Sequence, residues 1–218
     1  MNFDNLFEEM MKHKNEKEAE KMSAYMLNKF KYIGIKTPER RKIFKNFFKE
    51  YKKEEIINWD FINKCWENEY RELQYSAIDY LKEMVKFLTE KDIPKIKKLI
   101  ITKSWWDTVD GIDVIVGETA LKYPEINKTL IKWSKDKNIW LRRIAIDHQL
   151  LRKEKTNTEL LSEIIENNLN GTEFFINKAI GWALRDYSKT NPDWVTDFIE
   201  KNKDKMSKLS IKEASKYI

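Results

Sequence analysis

The pattern of apolar and polar positions along the chain is that of amphipathic helices from end to end. Apolar residues recur at spacings of three and four, and the alternation typical of a half-buried strand is nearly absent. All four prolines stand where a helix opens, most clearly in Thr37-Pro38-Glu39-Arg40, where a capping threonine precedes the proline. We predict helices over 3–13, 16–31, 37–51, 54–66, 69–87, 92–101, 104–122, 124–135, 138–153, 157–169, 173–189, 192–202 and 210–217.

The order of these helices predicts the fold class. From residue 54 onward they follow one another in pairs of roughly 30-odd residues, the spacing of helical-repeat solenoids. No glycine- or serine-rich linker interrupts them, so we predict a single domain over residues 1–218. Stacked helix pairs form a curved body with one concave face. The prediction is therefore an all-α superhelical solenoid.

Three predicted helices combine tryptophan with charge in an unusual way. They contain the stretches SWWDTVD from Ser104, NIWLRR from Asn138 and KAIGWALR from Lys178. A protein core needs the aromatic ring but not the charge, whereas a solvated face needs the charge but not the ring. Finding both together three times indicates a functional surface.

A helical wheel separates the two tryptophans of the first stretch. Trp105 falls on an apolar stripe, which predicts a core residue, and the other members of that stripe are Val109, Ile112 and Val116. Trp106 is rotated away from this stripe and lines up with Asp110, one turn later. Asp107 points elsewhere, and we expect a surface ion pair with Lys103.

The other two helices divide in the same way. In the middle helix the packing stripe consists of Leu141, Ile144, Ala145, His148 and Leu151, and Arg143 lies well away from it. In the last helix the packing residues are Ile176, Ala179, Ala183 and Tyr187. Lys178, Trp182 and Arg185 share another face of that helix. We therefore expect the unusual residues to converge on one side of the solenoid.

Composition narrows the classes of partner. The net charge of +6 and a pI of about 9.1 favour an anionic partner. Arginine is scarce in this lysine-rich chain, and its planar fork suits phosphate oxygens. Candidates for phosphate contact are Arg143, Arg185, Lys178 and, at the start of a helix, Arg40 and Arg41.

Several other classes of protein are disfavoured. The single Cys65 excludes an intramolecular disulfide, and the isolated His13 and His148 give no zinc-ligand spacing. We read all three as structural residues and predict neither metal nor cofactor. The mixed charges from Asp4 onward do not form a signal peptide, and no apolar run approaches the ~20 residues of a membrane span. We therefore expect a cytoplasmic protein, and we further expect it to be a monomer.

A carboxylate in a basic cleft suggests a particular chemistry. Asp110 would repel phosphate, so nucleic-acid binding alone gives no reason for it. A carboxylate is useful where positive charge develops, as on the sugar during cleavage of an N-glycosidic bond. If the departing base is already cationic, it leaves as a neutral molecule and no general acid is needed.

The motifs SWWDTVD, NIWLRR and FFINKAIGWALRDYSKTNPD, with AYMLNKF and GIKTPERR upstream, resemble the AlkD-like family of alkylpurine DNA glycosylases. The resemblance runs from about residue 5 to 215. It implies right-handed HEAT-like repeats with a concave basic face on double-stranded DNA. It also implies release of purines alkylated at N3 or N7, in base excision repair, without the base extrusion that most glycosylases require.

The resemblance also implies a role for individual residues. Trp106 and Trp182 would flank the sugar of the damaged nucleotide, and Asp110 would be the catalytic carboxylate. Arg143 would hold a backbone phosphate and Tyr25 would line the same cleft, while Arg185 matches a basic position of the family. The chain departs from the family pattern at Gly111, where a larger residue is expected, and in a shorter segment between Asp110 and Arg143.

Plainer interpretations stand beside these. Trp105, Trp133 and Trp140 read as core residues, and Arg143 could form an exposed ion pair with Asp147. Two other functions fit the same pattern. One is a silent helical-repeat scaffold that binds a protein through its tryptophans. The other is a relative that binds distorted DNA without cutting it.

Overall fold

The computed structural model describes residues 2–51 and 55–218, and within them every regular element is a helix. The α-helices are α1 Phe3–Lys12, α2 Glu16–Tyr25, α3 Thr37–Tyr51, α4 Trp59–Glu67, α5 Arg71–Glu83, α6 Ile93–Ile101, α7 Trp106–Lys122, α8 Asn127–Trp133, α9 Ile139–Asp147, α10 Thr158–Glu166, α11 Phe174–Ser188, α12 Pro192–Asn202 and α13 Lys208–Ala214. Short 3-10 turns cover Val85–Phe87, Glu90–Asp92, Pro124–Ile126, Lys153–Lys155 and Ser215–Tyr217. The predicted all-α class is confirmed.

Most predicted helices match the observed ones, and the exceptions have local causes. The second ends at Tyr25 because Leu27 and Asn28 both have a φ of 56°, which no right-handed helix accepts. The fourth begins at Trp59, where the Asn58 side chain accepts the N–H of the third helical residue; the predicted start at residue 54 lies outside the described residues. The ninth ends at Asp147.

The chain divides into two compact units, one ending at Leu88 and the other beginning at Thr89. We call them unit one and unit two. In each unit consecutive helices pack against one another, as α4 does with α5, α6 with α7 and α8 with α9. This is the pairing that the helical-repeat pattern predicted. The single domain over residues 1–218 stays a prediction.

Unit one contains a buried carboxylate that organises a chain reversal. Both Glu72 side-chain oxygens accept backbone N–H groups, from Ile33 at 3.0 Å and from Gly34 and Ile35 at 2.8 and 3.2 Å. Burial raises the pKa of Glu72, although the three hydrogen bonds oppose that shift. Gly34 has a φ of 97° and lies directly against Asn15 and Ala19, so no other residue fits there. The segment between α2 and α3 is therefore fixed by α5.

Unit two is built around α7, α9 and α11, which pack on each other in that order, with α13 against α11. The predicted stripes supply its core, since these side chains are buried: Val109, Ile112, Val116, Leu141, Ile144, Ala145, Ile176, Ala179, Ala183 and Tyr187. Leu151 was predicted to belong to this core, but it is 72% exposed because α9 has already ended. Within the described residues no helix is both long and apolar enough to cross a bilayer.

A glycine sets the distance between α7 and α9. Gly117 lies against the carbonyl of His148 so closely that a β-carbon would overlap the oxygen. The two helices can therefore approach each other only if this position has no side chain.

Replacing Gly117 by alanine should force these two helices apart. We expect Gly117→Ala to lower the free energy of unfolding by about 1–3 kcal/mol, the usual cost of overpacking. Val114→Ala, at an exposed position of the same helix, should change it by less than about 0.5 kcal/mol. Urea unfolding of both variants measures this. Equal stability of the two would show that the backbones separate without cost.

Candidate functional site

The centre of the candidate site is a two-point contact between a carboxylate and a guanidinium group. Asp110 lies in the second turn of α7, and Arg143 lies in the middle of α9. Arg143 donates from Nε to Oδ1 of Asp110 at 2.7 Å and from Nη2 to Oδ2 at 2.8 Å. The Arg143 side chain is 2% exposed, whereas that of Asp110 is 23% exposed. The carboxylate is thus the part of this Asp110–Arg143 pair that solvent can reach.

A third helix completes the setting of Arg143. Its Nη1 donates to the backbone carbonyl of Phe175, in the first turn of α11, at 2.7 Å. Burial lowers the pKa of Arg143, but its hydrogen bonds to Asp110 and the charges of Asp147, Asp110 and Asp113 outweigh this effect and raise the pKa overall. Arg143 is therefore a permanent cation held by α7 and α11.

Trp182 lies over this cation. The Arg143 Cζ is 5.2 Å from the centroid of the Trp182 ring, within the range of a cation–π contact. Lys178 and Arg185 lie on α11 together with Trp182. Lys178 Nζ is 5.7 Å and Arg185 Cζ is 6.0 Å from the centroid of the same ring. The sequence predicted that Lys178, Trp182 and Arg185 share a face of α11, and that prediction is confirmed.

Two of the basic residues around Trp182, Lys178 and Arg185, are held together with Lys216 by one carboxylate from α13. Glu213 accepts Lys178 Nζ at 2.7 Å through Oε1, and Arg185 Nη1 at 2.8 Å and Lys216 Nζ at 2.7 Å through Oε2. We call these four residues the Glu213 cluster. Hydrogen bonds from Lys178 and Lys216 lower the pKa of Glu213 to about 2. Three cations on one carboxylate leave a net positive charge, as an anion-binding surface requires.

Gly181 makes the Glu213 cluster possible. A β-carbon at this position would overlap the Glu213 side chain, so the glycine lets α13 approach α11 closely. A glycine in the middle of a helical pattern is a signal of such an approach. The sequence could not predict that Glu213 would be the residue packed against Gly181, because Glu213 is a single acid in a lysine-rich terminal helix.

The predicted role of Trp105 as a core residue of α7 is wrong. α7 begins at Trp106, and Trp105 precedes it in an extended conformation, with φ −157° and ψ 163°. Trp105 is half-buried. Its ring packs edge-on against Trp140 at 5.7 Å and Phe175 at 5.2 Å between centroids. Trp105 therefore belongs to an aromatic cluster between helices rather than to the stripe of one helix.

Of the other tryptophans, some are core residues and others belong to the candidate site or its surroundings. Trp133 is buried, as predicted. Trp140 was predicted to be a core residue but is half-buried in the aromatic cluster, 5.0 Å from the ring of Phe175. Trp106 is half-buried at the first position of α7, one turn before Asp110. The predicted proximity of Trp106 and Asp110 along the helix is therefore retained.

Arg143 is not where the sequence pattern put it. It was expected away from the packing stripe of α9, yet it is among the most deeply buried side chains of the protein. The helical wheel failed because the residue pairs across helices, with a carboxylate 33 positions away in sequence. The plainer interpretation, an exposed ion pair with Asp147, is wrong in the same respect, since both side chains are buried.

Unit one contains the three remaining predicted residues. Tyr25, the last residue of α2, is 73% exposed. Arg40 is buried and donates to Asp79 at 2.5 Å, whereas Arg41 is 63% exposed with its Nε 3.9 Å from the same carboxylate. Of the two adjacent arginines, Arg41 is the one that solvent can reach. Within the described residues of both units, no three histidine, cysteine or acidic side chains are grouped as metal ligands would be.

The chain resembles known proteins over most of its length. Residues 6–218 match the sequence model of a family described as DNA alkylation repair enzyme. A predicted DNA alkylation repair enzyme from Enterococcus faecalis shares 36% sequence identity, covers 94% of this chain and 96% of its own, and superposes with a TM-score of 0.87. The protein smu.31 from Streptococcus mutans UA159 is 18% identical, with a TM-score of 0.60 over 82% of this chain and 97% of its own, and shares the fold. No curated protein sequence matches the chain.

The low pKa of Glu213 predicts a pH-dependent contribution to stability. Its pKa of about 2 lies below the ordinary value near ~4.3, so the ionised cluster stabilises the fold above that ordinary value and loses this effect as the pH falls towards 2. We expect Glu213→Gln to destabilise the protein by about 1–2 kcal/mol at pH 6.

At pH 3 the difference between wild type and Glu213→Gln should be smaller. Glu200→Gln is the matched control, because Glu200 pairs with Lys203 on an exposed part of α12. It should have little effect at either pH. Chemical denaturation at the two pH values measures these differences, and a Glu213→Gln deficit that stays constant with pH would contradict the assignment.

Proposed function

Because the chain belongs to the DNA alkylation repair enzyme family, we propose that it is a DNA glycosylase that releases cationic N3- or N7-alkylated purines from duplex DNA. The observation that carries this proposal is the Asp110–Arg143 pair. It fixes the partly exposed carboxylate of Asp110 through an arginine that also contacts Trp182, whose ring the basic side chains of Lys178 and Arg185 approach. A fixed, accessible carboxylate in a basic setting suits a reaction that generates positive charge.

The proposed reaction breaks the bond between the sugar C1′ and the purine nitrogen. The bonding electron pair leaves with the base, so an alkylated, cationic purine departs as a neutral molecule. The sugar becomes an oxocarbenium ion, which the negative charge of Asp110 stabilises. Water then adds to C1′, and Asp110 or solvent accepts the proton that the water loses.

The surroundings of Asp110 favour cationic over neutral substrates. Excision of a neutral base requires a group that donates a proton to the leaving nitrogen. Asp113, Asp147 and His148 are buried and cannot touch a leaving base. Burial, helped by Arg152, lowers the pKa of His148 to about 3, so this imidazole is neutral as well as inaccessible.

We assign the remaining residues to the substrate backbone and sugar. The half-buried rings of Trp106 and Trp182 would flank the sugar, where their π-faces favour positive charge. Lys178 and Arg185 would contact phosphate from the Glu213 cluster, and Tyr25 and Arg41 would do so from unit one. With the catalytic carboxylate beside the sugar rather than in a base pocket, excision need not extrude the base.

The geometry changes the role that we propose for Arg143. Three of its N–H donors are already used within the protein, and its side chain is almost inaccessible. We therefore propose that Arg143 orients Asp110 and compensates its charge, and that phosphate contact is secondary. Arg40, paired with Asp79, would likewise support Arg41 rather than bind DNA itself.

The same pair supports a second candidate function. A carboxylate that is already neutralised by a two-point contact with arginine could be a purely structural ion pair. The protein would then bind alkylated or distorted DNA without releasing a base. Base release and DNA binding, measured on the same preparations, distinguish these two functions.

Asp110→Asn is the test of the catalytic carboxylate. The amide keeps the shape but loses the charge, so release of 7-methylguanine from methylated duplex should fall by at least about 100-fold. DNA affinity should stay the same or rise, because a repulsion with phosphate is removed. Asp107→Asn, one residue into α7 and three before Asp110, is the matched control and should change the rate less than about threefold. Equal losses in both variants would refute the assignment.

Substrate charge is the second test. Release of 3-methyladenine and 7-methylguanine should exceed release of hypoxanthine or uracil by at least about 1,000-fold, because the neutral bases need a proton donor. The measurement is single-turnover excision from duplexes that differ only in the modified base, with the uncatalysed rate subtracted. Efficient release of hypoxanthine would show that the site contains a general acid.

A further inference from the structure

A second carboxylate lies behind the Asp110–Arg143 pair, where it has no contact with solvent. Asp147 is the last residue of α9, one turn after Arg143, and its side chain is 1% exposed. One of its oxygens is 3.7 Å from Nε of Arg143, which is too long for a hydrogen bond. Neither of its oxygens has a hydrogen-bond partner. A buried carboxylate without hydrogen bonds is costly, so its presence requires a reason.

The charged groups around Asp147 come from two helices. On its own helix the neighbour is Arg143, which attracts its negative charge; on α7 the neighbour is Asp110, which repels it. Asp113, also on α7, acts on Arg143. The adjacent His148 is neutral and its Nδ1 is held at 2.7 Å by the carbonyl of Ala145. Arg143 is therefore shared between an accessible carboxylate and an inaccessible one.

This sharing has an electrostatic consequence at Asp110. When Asp147 is ionised, it compensates part of the Arg143 charge, and Asp110 keeps more of its own negative potential towards solvent. When Asp147 is protonated, Arg143 acts on Asp110 alone and cancels more of that potential. Interactions of this kind are strong in a buried setting because little water screens them.

We propose that Asp147 is a positioning residue that controls, through Arg143, how much negative charge Asp110 presents to the substrate. The inference rests on the proposed glycosylase function and adds to it a residue that never touches DNA. It predicts that base release is faster with Asp147 ionised than with Asp147 neutral.

The protonation state of Asp147 can change near neutrality. Burial raises its pKa to about 7, although Arg143 lowers it and Asp110 raises it further. Between pH 6 and pH 8 the group therefore passes from mostly neutral to mostly ionised. The rate of base release by the wild type should rise across this range by about tenfold, the effect of one partly screened charge.

The experiment compares wild type with Asp147→Asn in single-turnover release of 7-methylguanine from pH 5.5 to pH 8.5, with the uncatalysed rate subtracted. Asparagine has the shape and charge of the protonated aspartate, so the variant should keep the low-pH rate and lose the rise. Asp197→Asn, an exposed aspartate on α12, is the matched control and should follow the wild-type profile. Asp147→Ser, smaller and also neutral, serves if Asp147→Asn does not fold.

A thermal melt provides a readout that is independent of activity. Because the folded pKa of Asp147 is raised, the wild type loses stability as the pH rises from the unfolded value near ~4 through 7. The melting temperature of Asp147→Asn relative to wild type should thus be higher at pH 8 than at pH 5.

The outcomes are distinct. Parallel rate profiles for wild type and Asp147→Asn, in proteins that do release base, would overturn the role of Asp147 and leave the proposed function intact. If no protein releases base at any pH, the proposed function fails and this inference fails with it. Loss of the pH-dependent rise in Asp147→Asn, or in Asp147→Ser where that variant replaces it, together with the shift in melting temperature, is the result that supports it.

Discussion

The structure of unit two depends on compensating one buried positive charge. Arg143 is held from two sides, by the carboxylate of Asp110 on α7 and by the carbonyl of Phe175 on α11. Removing a partner from a buried ion pair costs about 3–5 kcal/mol, because the remaining charge stays out of water. The three helices must therefore keep their relative positions for Arg143 to stay buried. The requirement that stabilises the fold also fixes the orientation of Asp110, the carboxylate that we propose for catalysis.

In unit two, carboxylates pair with basic side chains in two layers, an outer layer near the surface and an inner layer around the buried Arg143. Glu213 holds Lys178, Arg185 and Lys216 near the surface and leaves them with a net positive charge. Deeper in the unit, negative charge is in excess, because Asp110, Asp113 and Asp147 all act on the single cation Arg143. In the proposed reaction the outer layer would therefore attract the anionic DNA backbone, whereas the inner layer would stabilise a developing cation. Trp182 contacts cations of both layers.

The sequence predicted those features that depend on one helix at a time. Val109, Ile112 and Val116 were assigned correctly to the core because their spacing alone determines that they share a face. Trp105 and Arg143 were assigned wrongly because their burial depends on residues from other helices, Phe175 in one case and Asp110 in the other. A helical wheel contains no information about such partners. The grouping of Lys178, Trp182 and Arg185 was predicted, but Glu213, which holds two of them, was not.

An arginine that only neutralised the carboxylate proposed for catalysis would oppose the reaction, but differential binding explains the arrangement. The rate depends on how much more strongly the site stabilises the transition state than the bound substrate. An uncompensated carboxylate would repel the phosphates of DNA before any reaction began. With Arg143 fixed behind it, Asp110 is oriented in advance, and in the proposed reaction its accessible side would face the sugar on which positive charge develops. Such preorganised charge needs no rearrangement during the reaction, which is the main source of electrostatic catalysis. The buried Asp147 then matters because it sets how much of the Asp110 charge Arg143 cancels.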